Sequence, residues 1–331
     1  MILAKAVGSE GGFRGAGLAR RVARLLVAVL VLGHCQKAEA AQALNLTDLN
    51  ATASGVLGIL GFSIVPSETA SSLSIDSNNK SDANYLATQF GGAFTVSDEF
   101  PLYLEGFAGF ARYDPQFVFS DGMDERLIRV KWNNFAGTVG AGWDFLLTDE
   151  LRLRPIANFS LGHVESDLSL ASRFLTDENR EKLEFLRDGR LNAYGLGGSL
   201  MLDFERRRQD YEADVELRYT KIRLQTFAGT SNAVEGSANA ETLGLWSRLR
   251  VPTGRQLFQR PLRAVGELSA SYLLGDQRFA IGADVLAQVG GGIEFDVGEY
   301  RPFYLQRVRL MGRYLFGDGV QGFSLGLGLS W

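Results

Sequence analysis

The chain has 331 residues, with 34 basic and 38 acidic side chains for a formal charge of -4, 46% hydrophobic residues and 39 glycines. That balance offers no clustered basic surface of the kind nucleic-acid binding needs. Mean hydropathy is -0.02, and past the N-terminal region no apolar stretch is long enough to cross a membrane as a helix. Strands that alternate apolar and polar residues average to neutral hydropathy, so a β-membrane protein stays open.

The first predicted element is a signal peptide over 1–40. Arg14, Arg20, Arg21 and Arg24 precede the apolar run 25–32, and Ala38-Glu39-Ala40 supplies small residues two apart, the layout of a basic region, a short apolar region and a cleavage site. The long basic region leaves a translation start downstream of Met1 open. Cys35 follows His34, where a lipoprotein signal wants a small residue, so lipidation is not expected. Cleavage after Ala40 leaves no cysteine, hence neither disulfide nor thiol chemistry. It also leaves 28 basic against 36 acidic residues, a charge of -8.

Residues 41–53 read as a short periplasmic or lumenal lead-in, with the barrel domain spanning 54–331. Leu44, Leu46 and Leu49 would suit a short plug helix, and a disordered lead-in suits the same residues.

Strands follow at 54–65, 84–96, 101–113, 132–146, 150–163, 191–205, 209–224, 238–251, 261–275, 284–297, 302–316 and 322–331, about twelve, the even number a bacterial barrel requires. In 132–146, Phe135, Gly137, Val139, Ala141, Trp143 and Phe145 share one face. In 209–224, Tyr211, Ala213, Val215, Leu217 and Tyr219 alternate with Glu212, Asp214, Glu216, Arg218 and Thr220. The last strand places Phe323, Leu325, Leu327, Leu329 and Trp331 on one face with only Gly and Ser between them. A closing strand that ends on an interfacial aromatic is expected of an outer-membrane barrel and resembles the signal read by the barrel assembly machinery.

The connections share a parity. Those at 97–100, 147–150, 206–209 and 298–301 are short; those at 66–83, 114–131, 164–190 and 225–237 are long. Long and short connections alternate, as barrel turns do, which places both termini in the periplasm and the long loops outside the cell. Two connections fit less well: 252–260 is long for a periplasmic turn, and 317–321 is short for an external loop.

The stretch Pro101-Leu102-Tyr103-Leu104-Glu105-Gly106-Phe107-Ala108-Gly109-Phe110-Ala111-Arg112-Tyr113-Asp114-Pro115 and the C-terminal strand resemble the solitary outer-membrane autotransporter β-barrel family, over roughly residues 45 to 331. The resemblance implies a twelve-stranded translocator-like barrel and no catalytic residues. The chain departs from the usual autotransporter plan, because about a dozen residues between Ala40 and the first expected strand make only two or three helical turns. Secretion of a passenger in cis is therefore not expected.

For chemistry, His163 is the one histidine after the cleavage site. It shares the lipid-facing parity of Phe159 and Leu161, which suits an interfacial aromatic; a catalytic histidine would need a nucleophile and an orienting partner, and no motif links it to Ser166 or Asp167. No Cys/His metal cluster and no phosphate loop is present in the sequence, so no cofactor, metal site or enzymatic activity is expected. Gly290-Gly291-Gly292 falls inside a strand.

By parity, Arg307, Arg309, Arg313, Arg152, Arg154, Arg218, Arg248, Arg250 and Arg263 point into the lumen, as do Glu105, Asp144, Asp203, Glu212, Asp214, Glu216, Glu267, Glu294 and Asp296. Two readings stand: a salt-bridge lattice that fills a narrow lumen, or a charge-lined pore. Mixed signs favour the lattice, and the row Arg307, Arg309, Arg313 is the best selectivity strip if there is a pore. The loop 164–190 sets Phe174, Leu175, Leu183, Phe185 and Leu186 among charges; it reads as a cover over tall strands, a lid or an adhesive knob. The chain as a whole reads as a monomeric, non-enzymatic barrel of a Gram-negative outer membrane. Its expected partners are membrane lipid and the assembly machinery, in a structural or surface-interaction role, or alternatively as a small-solute channel.

Overall fold

The computed structural model describes residues 49–66, 72–77, 84–114, 116–120, 125–129, 131–167, 190–227, 236–257, 259–300 and 305–330. They form helix α1 (Leu49–Ile64), then strands β1 (Ser72–Ser77), β2 (Asn84–Thr95), β3 (Leu102–Asp114), β4 (Gln116–Ser120), β5 (Glu125–Arg129), β6 (Lys131–Trp143), β7 (Phe145–Thr148), β8 (Leu151–Asp167), β9 (Arg190–Arg207), β10 (Glu212–Thr226), β11 (Ser237–Leu257) and β12 (Arg260–Leu273). A short helix α2 (Gln277–Ile281) precedes β13 (Val285–Tyr300), β14 (Leu305–Gly317) and β15 (Val320–Ser330).

The strands close on themselves. From β8 to β15 each strand pairs with the next, β15 pairs with β1, β1 with β2, β2 with β3, β3 with β6, and β6 with β8. Setting aside β7 and the separate β4–β5 hairpin leaves a ring of twelve strands. Its pairings are antiparallel throughout, including the closure Ser72↔Leu325 to Ser77↔Val320 and the join Trp132↔Ser166 to Gly142↔Ile156. β7 continues β6 past a break at Asp144 and pairs with β8.

Side-chain alternation explains the closure. On β15, Phe323, Leu325 and Leu327 are 69%, 68% and 64% exposed while Ser324 is buried. Phe90, Phe135, Val139, Leu196, Leu200, Val289 and Leu310 extend the same exposed apolar surface around the ring. A soluble protein does not leave so continuous an apolar belt in water, and closed barrels satisfy every strand edge as a bilayer demands. The fold is a transmembrane antiparallel β-barrel.

One predicted strand is corrected. Residues 54–64 of the strand expected at 54–65 are helical, within α1, and the barrel wall begins at Ser72, inside the segment expected to be a long connection. The expected boundary between a lead-in at 41–53 and a barrel from 54 moves accordingly. The reason is physical. Over 56–64 the run Val-Leu-Gly-Ile-Leu-Gly-Phe-Ser-Ile is apolar on every side, and such a run cannot be assigned to strand or helix by periodicity alone. A helix apolar all round is stable only when surrounded, and here the barrel surrounds it. The count of twelve survives because the short, polar β1 takes the lost strand's place.

The two awkward connections also resolve. β11 and β12 run on to Leu257 and Arg260 through a bulge between Pro252 and Gln256, so the expected long turn is a tight hairpin. Between β14 and β15 the turn is tight because Gly319 adopts φ 69, where a side chain would be strained.

Candidate functional site

The lumen holds the site, in two layers. The upper layer, at the end of the long connections, is α1. Leu57, Leu60 and Ile64 are fully buried against Trp132, Val164, Leu191, Ile222, Leu224 and Ala240 of the inner wall. Ile59 and Phe62 meet a second set, Tyr85, Leu273, Ile281, Leu286 and Leu315. Small wall residues admit the helix: a Cβ on Gly61 would lie 3.2 Å from the Ala240 Cβ.

The helix reaches deepest at its C-terminal end. Ser63 Oγ donates to Asn134 Oδ1 at 3.1 Å and lies 2.9 Å from Tyr85 Oη. Thr138 Oγ1 donates to the Ile64 carbonyl at 2.7 Å, and Gln89 Nε2 to the Ser63 and Val65 carbonyls at 3.2 and 3.3 Å. These wall groups satisfy carbonyls that a helix end otherwise leaves open. The N-terminal end of α1 therefore faces the long connections.

Below the helix lies the layer of charges. Glu105, whose side chain is 0% exposed, accepts from Arg218 Nη1 and Nη2 at 2.8 and 2.6 Å, from Asn158 Nδ2 at 2.7 Å and from Tyr103 Oη at 3.1 Å. Arg218 sits on β10 and Glu105 on β3, four strands apart in the ring, so the pair ties non-adjacent strands together through the lumen. Arg154 bridges Asp144 and Asp203, with Nη2 at 2.9 and 3.1 Å, and stacks over the Tyr103 ring at 3.9 Å. Glu267 accepts from Arg248 Nε at 2.7 Å and Arg313 Nε at 2.6 Å. Bidentate and charge-assisted contacts of this kind are the strong ones.

The predicted strip on β14 is not a free row. Arg307 donates to Glu212 at 2.9 Å and lies 3.6 Å from Glu294. Arg309 lies 3.7 Å from the same fully buried Glu294, and Arg313 is held by Glu267. Asp214 accepts from Arg250 at 2.5 Å, and Glu212 lies 3.4 Å from Arg250. Arg152 lies 3.6 Å from Glu205, and Asp296 stands opposite Arg307 in the β13–β14 register. Glu216 lines both lumenal cavities.

Two voids flank the charges. A cavity of about 130 Å³ lies between the end of α1 and Arg218, lined also by Gln89, Thr220, Trp246 and Ser269. A polar vestibule of about 880 Å³ opens toward the short turns, lined by Thr95, Asp98, Asp149, Arg152, Asp203 and Arg207. At that rim, the Arg206 guanidinium hydrogen-bonds Glu150 and holds its carboxyl below the ordinary range.

His163 lies on the outer wall, with Nδ1 2.7 Å from Asn192 Oδ1; the side chains of Ser166 and Asp167, Trp331 and nearly all of the 164–190 loop fall outside the described residues. Phe323, Leu325, Leu327 and Leu329 form the outer face of β15. The sequence reading offered a plug helix on Leu44, Leu46 and Leu49, of which Leu49 opens α1 and the other two lie outside the described residues; it read the body of α1 as a strand and missed the polar anchors Gln89, Asn134 and Thr138. Leu57, Leu60, Gly61 and Ile64 stand at i, i+3, i+4 and i+7, a helical spacing, but the apolar residues between them erase the contrast that would have set it apart.

No protein-family model and no curated protein matches the chain. Among solved structures, the β domain of the Bordetella autotransporter BrkA matches with a TM-score of 0.45 at 13% identity, over 78% of this chain and 96% of that one. The transport unit of the autotransporter AIDA-I from Escherichia coli gives 0.45 at 12%, over 88% and 98%. The NanC porin gives 0.34 at 10%, over 78% and 98%. Likenesses of this degree say nothing of the role.

Proposed function

We propose that the chain is a monomeric, non-enzymatic outer-membrane barrel with a closed lumen, serving as a structural and surface-presenting element. It is exported through the periplasm, inserted by the barrel assembly machinery and needs no cofactor. The observation that carries this reading is the double filling of the lumen. An apolar helix occupies the half near the long connections, and cross-lumen ion pairs such as Arg218–Glu105 and Arg307–Glu212 occupy the middle. A selective pore would present charge of one sign to a water column; here the charges face each other.

Liposome swelling tests the proposal. Vesicles carrying the refolded protein should swell in small sugars no faster than empty vesicles. Swelling that falls with increasing sugar size would favour a small-solute channel. That second reading draws on the voids of about 130 and 880 Å³ on either side of the charges.

A further inference from the structure

The outer wall changes character in one sector. Going toward the long connections, the outward row of β3 passes from Phe110 to Arg112, and that of β6 from Phe135 to Asn133 and Lys131. On β8 it passes from Leu161 through His163 to Glu165, on β9 from Leu196 through Tyr194 to Arg190, and on β10 from Leu217 through Tyr219 to Lys221 and Arg223. These strands are consecutive neighbours in the wall. β9 and β10 run from apolar residues through a ring to a cation, the order of a membrane interface; β3 and β6 end in a cation without a further ring, and β8 ends on Glu165. The facing sector differs. On β12 to β14 the outward rows end in Tyr272, Val285, Tyr314 and Phe316, without a cation.

Two of these cations have a carboxylate within 4 Å. Lys221 Nζ lies 3.0 Å from Glu241, and Arg190 lies 3.8 Å from Glu165, both on the exposed face. Arg112, Lys131 and Arg223 have no ion-pair partner among the described residues. Arg112, Lys131 and Arg223 therefore stand just above an apolar belt, at the level where a lipid carries its headgroup. Arginine and lysine there can donate charge-assisted hydrogen bonds to phosphate oxygens, and the rings beneath can pack on the acyl boundary.

We infer that the sector of β3 to β10 bearing Arg112, Lys131 and Arg223 binds the phosphate groups of an anionic lipid in the leaflet at the long-connection end. The inference rests on the membrane location in the proposed function but not on a closed lumen, so the two readings fail separately.

The test is lipid retention by the refolded full chain in phosphatidylcholine micelles doped with diphosphoryl lipid A, read by native mass spectrometry. Wild type should retain the diphosphorylated lipid over phosphatidylcholine, and excess inorganic phosphate should not displace it. Displacement by inorganic phosphate would mean a plain anion site and would overturn the lipid assignment. The variant R112Q/K131Q/R223Q should lose the preference by roughly two orders of magnitude, since each cation near an anionic surface is worth about fivefold. R255Q/R260Q, at the opposite end, should keep it. All these side chains are at least partly exposed, and heat-modifiable gel mobility checks that each variant is folded. Equal retention by wild type and the triple variant, or no preference in wild type, would overturn the inference.

Discussion

Removing the Arg218 guanidinium should be the most damaging single change in the lumen. Glu105 has a side chain 0% exposed and takes two of its hydrogen bonds from Arg218, at 2.8 and 2.6 Å. In Arg218→Met the carboxylate keeps Asn158 and Tyr103 but loses its counter-charge. Breaking a buried pair by removing one partner costs about 3–5 kcal/mol, against at most about 1 kcal/mol for an exposed pair. Replacing both partners removes the stranded charge, so Glu105→Gln/Arg218→Met should cost less than the single change, about 2 kcal/mol or below. The assay is equilibrium unfolding in urea in detergent micelles, followed by tryptophan fluorescence, as a double-mutant cycle. A single-mutant loss below about 1 kcal/mol, or a double mutant equal to the sum of the singles, would refute a desolvated, mutually dependent pair.

Other outcomes follow from the same geometry. Gly61→Cys with Ala240→Cys should form a disulfide in cells, because the two Cβ atoms would start 3.2 Å apart and settle near the usual ~3.8 Å; a free-thiol product on non-reducing gels would place α1 elsewhere. Gly140→Ala should destabilise the barrel, since its Cβ would lie 2.6 Å from the Glu105 carboxylate; unchanged heat-modifiable migration and midpoint would contradict the packing. Arg309→Ala should lower the unfolding midpoint less than Arg313→Ala, because Arg309 reaches Glu294 only at 3.7 Å while Arg313 holds Glu267 at 2.6 Å; the reverse order would overturn the ranking. Deleting Trp331 should reduce insertion, as a closing strand needs its interfacial anchor; normal abundance in isolated outer membranes would count against it.

Most of the wall was legible because a barrel strand writes itself in period two. The rows through Phe135 to Phe145, Tyr211 to Tyr219 and Phe323 to Leu329 alternate without interruption in the sequence, and that parity alone points the alternate charged residues toward the lumen. Which charge meets which was not legible. Arg218 with Glu105 and Arg307 with Glu212 join strands far apart in sequence, and such ties depend on shear and lumen width, which no local pattern records. The plug was misread for a different reason. Val56 to Ile64 is apolar on both periods, and what made it a helix was the space inside the barrel. β1 was missed for the opposite reason, since Ser-Leu-Ser-Ile-Asp-Ser has little apolar content and owes its conformation to pairing with β15 and β2.

The most direct test is single-channel recording of the refolded full-length protein in a planar bilayer. A lumen filled by α1 and by paired charges predicts a silent bilayer, with no steps above baseline at moderate voltage of either sign. Stable, long-lived conductance steps with a defined anion-to-cation permeability ratio, shifted by Arg307→Ala, would show an open water-filled lumen and contradict it.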